Sequence, residues 1–167
     1  MFITRAVAIA AVVLLSAFVG VSGAARSPDA PIVIPIDETN TSVTTDLCAF
    51  PVTIESHVVG TFTLYLDRKT DTLAQYHVVV TETDTFIGPG ATIVGDPYSA
   101  RNTAKADPEG NITETLHGAI ARITLPDGTK LRSAGFSRAT NAESMFIINP
   151  DKGHSLDVAA LCAALAA

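Results

Sequence analysis

The chain has 167 residues, 47% of them hydrophobic and 17% charged, which suits one domain with a sizeable core and leaves no room for two ordinary ones. Its 11 lysines and arginines stand against 17 aspartates and glutamates, a net charge of -6, and no basic run occurs anywhere. The electrostatic footprint expected of a nucleic-acid binder or of a protein held on an anionic membrane is therefore missing from the sequence.

Residues 1–24 read as a cleaved signal peptide. Met1 to Arg5 carries one positive charge, Ala6 to Val21 is an almost unbroken apolar run, and Ser22-Gly23-Ala24-Ala25 offers the small residues of a cleavage site. The alternative is a retained transmembrane anchor, but the run sits at the short limit for spanning and lacks a basic stop. The apolar tail Val158 to Ala167 is too short to act as an anchor, so no stable membrane attachment is expected after cleavage. Export predicts a secreted, extracellular protein. In an oxidising compartment the even pair Cys48 and Cys162 favours a disulfide over metal ligation or redox catalysis, with two free thiols as the alternative.

Residues 25–47, with Pro28, Pro31 and Pro35 followed by a polar Asp-Glu-Thr-Asn stretch, read as a flexible linker, and residues 48–167 as one β domain. Ile32 to Ile36 is the one part of the linker able to lie along the domain as an extended edge piece. From Phe50 the period is two. Val52, Ile54 and Val58 share one parity in a first strand that ends at Gly60, and past it Phe62, Leu64 and Leu66 point inward in a second. A third strand over 73–82 sends Tyr76, Val78 and Val80 inward. The Gly88-Pro89-Gly90 and Gly95-Asp96-Pro97 breaks leave two short strands around 91–94 and 98–103. After the turn Asp107-Pro108-Glu109-Gly110, residues 112–125 and 129–138 form the clearest hairpin, around Pro126-Asp127-Gly128, with a bulge expected near Ala121. Ile112 and Leu116 point inward there, as do Phe146 and Ile148 in a last strand over 144–149.

Ser155 is placed to cap a helix over 156–166 whose Leu156, Cys162 and Leu165 recur at helical spacing. The fold class is thus all-β, a small antiparallel barrel or sandwich of about eight strands with a short C-terminal helix. A barrel is preferred, because closure removes exposed edges.

Cys48-Ala49-Phe50-Pro51-Val52, the hairpin Thr124-Leu125-Pro126-Asp127-Gly128-Thr129 and the closing segment from Leu156 to Leu165 resemble small exported proteins of high-GC Gram-positive bacteria. The resemblance spans Cys48 to the end. It implies a disulfide-closed β domain and carries over no catalytic residue, cofactor or ligand.

Motif chemistry is sparse. The sequence has no Gly-x-Ser-x-Gly elbow, His-Glu-x-x-His, Cys-x-x-Cys or phosphate-cradling glycine loop, and no tryptophan. No catalytic residue and no cofactor is predicted. His57, His77 and His117 fall at polar positions of three strands, where their imidazoles would ligate a metal with Glu55 or Glu114 only if those strands were neighbours. Solvated strand faces account for them more simply. His154, Ser155 and Asp157 read as turn and cap rather than as a triad. Among the aromatic residues, Phe62, Tyr76 and Phe146 are candidates to line an interior pocket for a small apolar ligand. The leading expectation is a binding module for such a ligand. An envelope or extracellular interaction protein and a histidine-based metal enzyme are the other classes.

Overall fold

The computed structural model describes residues 30–67, 69–141 and 150–167. Its elements are β1 (Ile32–Thr44), β2 (Val52–Leu66), β3 (Leu73–Ile87), β4 (Thr92–Val94), β5 (Tyr98–Ala106), β6 (Ile112–Thr124), β7 (Lys130–Thr140), β8 (Lys152–His154) and α1 (Val158–Ala166). The strands make one antiparallel sheet in the order β1-β2-β3-β5-β6-β7-β8, with β4 paired to the end of β3. Turn chemistry sets this meander. Gly110, at φ 86°, and Gly128, at φ 87°, take left-handed positions in the β5–β6 and β6–β7 turns. The expected bulge is a register shift between Ala119 and Ala121. It moves the inward parity from even to odd, so Leu116 before it and Ile123 after it share a face.

The sheet has a sharply bent row. Gly60, Val80, Ala100, Gly118, Gly135 and Gly153 lie side by side across the strands. A Cβ on Gly60 would stand 2.1 Å from the carbonyl oxygen of Val79, and one on Gly118 2.5 Å from that of Ser99. Only glycine permits neighbouring backbones to fold this far towards one another, as at the bends of curved sheets. The side of these missing Cβ atoms is the concave, inner face.

The packed core lies at one end of that face. Val52, Phe86, Ile93, Ile123 and Leu131 meet Leu156, Leu161 and Leu165 of the C-terminal segment. Cys48 and Cys162 form a disulfide, with Cα atoms 5.6 Å apart, that ties α1 to the entrance of β2. At the other end of α1 the N–H groups of Gly90 and Ala91 donate to the carbonyl of Leu165, at 3.1 and 3.2 Å. These bonds satisfy an orphan helix carbonyl and give the Gly88-Pro89-Gly90 break its role. The N-cap is Asp157, whose carboxylate accepts from the N–H of Ala160 at 3.0 Å, so α1 starts slightly later than expected from Ser155.

Several expectations are corrected. The sheet is not closed into a barrel: among the described residues β1 and β8 stand at the two ends of the strand order without pairing to each other. A short β8, and a Pro35 that has no N–H to offer on β1, blunt those edges. Residues 25–47 are not all linker, since Ile32–Thr44 pairs with β2 along its whole length. The backbone hydrogen bonds of an edge strand override a polar, proline-bearing composition. Gly60 does not end a strand but sits inside β2. Leu66, expected inward, is 41% exposed beyond a register irregularity at Tyr65. The expected strand 144–149, with Phe146 and Ile148, and the signal segment 1–24 lie outside the described residues.

Candidate functional site

The inner face continues beyond the core as two zones. The first is a polar cluster in the middle of β2, β3 and β5. Register places Ser56 opposite Asp84 and Glu82 opposite Tyr98, with all four side chains on the inner face. The Tyr98 hydroxyl donates to Asp84 Oδ2 at 2.8 Å, and the Ser56 hydroxyl donates to Asp84 Oδ1. Asp84 and Tyr98 are 5% and 4% exposed, so this carboxylate is held by hydroxyl donors away from water. Burial, and next the charge of Asp84, push Glu82 up to about 7. Burial followed by the two carboxylates drives the Tyr98 phenol far above its usual range, so it remains a neutral donor. The cluster therefore brings together two carboxyl groups, one of which exchanges its proton near neutral pH, and a phenol that stays neutral.

Farther along the same face the lining becomes apolar. Ile34, Phe62, Val78 and Leu116 lie in one row of the sheet, with Asn102 between the last two, and the Phe62 and Tyr76 rings touch with centroids 5.2 Å apart. These side chains are half-buried and stand outside the packed core cluster. The next row of the same face holds the small residues Gly60, Ala100 and Gly118 beside Val80. The Tyr76 hydroxyl donates to Glu114, whose carboxyl is raised by burial, and this pair closes the far end. Asn102, in the same strip, has a buried side-chain oxygen with no partner among the described residues.

Of the predicted pocket residues, Phe62 and Tyr76 are thus brought together, and Phe146 lies outside the described residues. The histidines are not brought together. His57, His77 and His117 share the outer face, but the rows of His57 and His77 are about 20 Å apart along the strands. Each ring has its own neighbour: Asp37 for His57 at 3.1 Å, Gln75 and Tyr65 for His77, and Phe136 for His117. Glu114 faces the opposite side. Among the described residues no three His, Cys, Asp or Glu side chains are grouped to hold a metal ion.

Sequence reading missed Ser56, Glu82, Asp84 and Tyr98. The available signal was parity, because Glu82 and Asp84 continue the inward positions begun by Tyr76, Val78 and Val80, and a carboxylate there must find donors or keep its proton. Comparison with family models, curated proteins and solved structures returns no match to this chain, so the inner face is read from its own chemistry.

Proposed function

We propose that this chain is an exported binding module that holds a small, largely apolar ligand on the inner face of its sheet. The observation that carries the reading is the half-buried apolar strip around Phe62, Val78 and Leu116, which lies apart from the packed core. A domain of this size ordinarily gathers its large apolar side chains into one core, and a second concave apolar surface with polar ends has the character of a ligand site. The strip is lined by half-buried side chains, and Glu82, its carboxyl raised to about 7, and the Tyr76–Glu114 pair place hydrogen-bonding groups at either end. From Glu82 to Tyr76 the strip runs about 20 Å.

Export is supported by the signal pattern in residues 1–24, by the Cys48–Cys162 disulfide and by the resemblance to small exported bacterial proteins. No described helix is long and apolar enough to cross a membrane.

The test is a fluorescence titration with dansyl-undecanoic acid against wild type and Ala100→Leu, which puts a larger side chain in the row beside the strip. Saturable binding is expected for wild type, with a loss of about tenfold or more in the variant and little change in melting temperature. An absence of saturable binding, or equal binding by both proteins, would overturn the reading.

A further inference from the structure

We propose that the outer face of β5–β8 is a docking surface for an acidic polysaccharide, independent of any ligand held on the inner face. Strand parity sorts the charges. Every lysine and arginine on a described strand points outward: Arg101 and Lys105 from β5, Arg122 from β6, Lys130, Arg132 and Arg138 from β7, and Lys152 from β8. All are exposed. Glu114 is the one carboxylate on these four strands, and it points inward. Cations that are scattered through the sequence thereby collect on one surface, which corrects the expectation of no basic patch.

The arrangement is ordered. Arg101, His117, Phe136 and Lys152 form one row across the four strands, and Arg122 stands directly opposite Arg132 in another. The field measures about 14 Å across the strands and about 35 Å along them, long enough for a polymer segment. Among the described residues the acidic groups nearest the field are Asp96, Asp151, whose carboxylate accepts from the Arg138 backbone N–H at 2.9 Å, and Asp107, Glu109 and Asp127 in the turns. None of these cations is paired with a carboxylate among the described residues; the Arg122 guanidinium donates to the carbonyl of Pro97 at 3.3 Å, and like charges at opposed positions of a sheet are unfavourable without an anion nearby.

The groups between the cations select the class of anion. Thr103, Thr115 and Thr140 present hydroxyls on this surface, suited to the hydroxyls of sugars, while guanidinium forks match carboxylate or sulfate oxygens. A membrane would be met by exposed apolar side chains, yet the exposed large ones, such as Val33, Val59, Val79 and Val94, all lie on β1–β4. Single-stranded nucleic acid would be met by open aromatic rings, and the ring in the field, Phe136, is half-buried and in edge contact with His117 at 4.8 Å.

The experiment measures binding of alginate and of heparin against salt, with dextran as the neutral control. The chain as a whole carries -6, so attraction to a polyanion must come from a segregated face. Wild type is expected to bind both acidic polymers at low salt and not dextran. The triple variant Arg101→Ser/Arg132→Ser/Arg138→Ser should bind at least about tenfold more weakly, with the slope of log K against log salt reduced by about two. Lys69→Ser, in the β2–β3 turn away from the field, should bind as wild type does. The proposal is overturned by no binding at low salt, by equal loss in Lys69→Ser, or by an unchanged triple variant. Tighter binding to phosphatidylglycerol vesicles or to single-stranded DNA than to alginate would also overturn it.

Discussion

Glu82 is the residue whose titration burial brings into the neutral range. In the unfolded chain its carboxyl titrates near 4.5, while in the fold burial beside Asp84 raises it to about 7. The folded protein thus binds the extra proton, and the stability this contributes is full below the unfolded value and lost as pH rises through the folded one. Between about pH 5 and 8 the loss should be roughly 1–3 kcal/mol, after allowance for the water that still reaches this half-buried group. Glu82→Gln keeps the shape and removes the titration. Urea midpoints for the variant should decline less across that window than those of wild type, with the remainder from Glu114, and parallel profiles would show that Glu82 is not the titrating group. Such a residue is hard to find from sequence alone. The parity of β3 is legible from Val78 and Val80, but the hydroxyls that hold Asp84 come from Ser56 and Tyr98, which only pairing brings into range.

Among the elements, β1 carries the clearest lesson about what composition conceals. Ile32, Ile34 and Ile36 alternate with exposed partners, a strand signal that Pro35 and the following polar run mask. An edge strand needs only half of its N–H groups for pairing, which lets β1 carry Pro35, opposite Thr61, within its length. The alternating stretches of β3, β6 and β7 were legible because one face of each is buried and one is wet. Gly60, by contrast, reads as a strand end but serves as a bend, since its role depends on the backbone of β3 beside it. Deleting residues 26–46 should therefore be harmful. With the long edge of β2 uncovered, the truncated protein is expected to aggregate and to melt well below wild type, as judged by light scattering and calorimetry. A soluble truncation with wild-type melting would mean that β1 adds nothing to the fold.

On the scale of the whole molecule, a single sheet performs three separate tasks. One end of its inner face is sealed by α1, the rest of that face is lined by half-buried side chains, and the outer face carries the cations. The disulfide spans a sequence separation of 114 residues and encloses every strand except β1. In the chain-entropy account a loop of that order stabilises by about 4–5 kcal/mol, comparable to the whole net stability of a small domain. Cys162→Ser should accordingly lower the melting temperature strongly, and its amides should exchange fastest in α1 and around Gly88–Ala91, which lose their anchor first. Uniform exchange across the sheet would argue against that order. The division of the inner face is what links the fold to a function, and amide chemical-shift mapping with undecanoic acid tests it most directly. Saturable shifts are expected at Ile34, Phe62, Val78, Ala100 and Leu116, with Val52, Ile123 and Leu161 unmoved. Shifts confined to the α1 end or to the outer face, or none at all, would contradict the account.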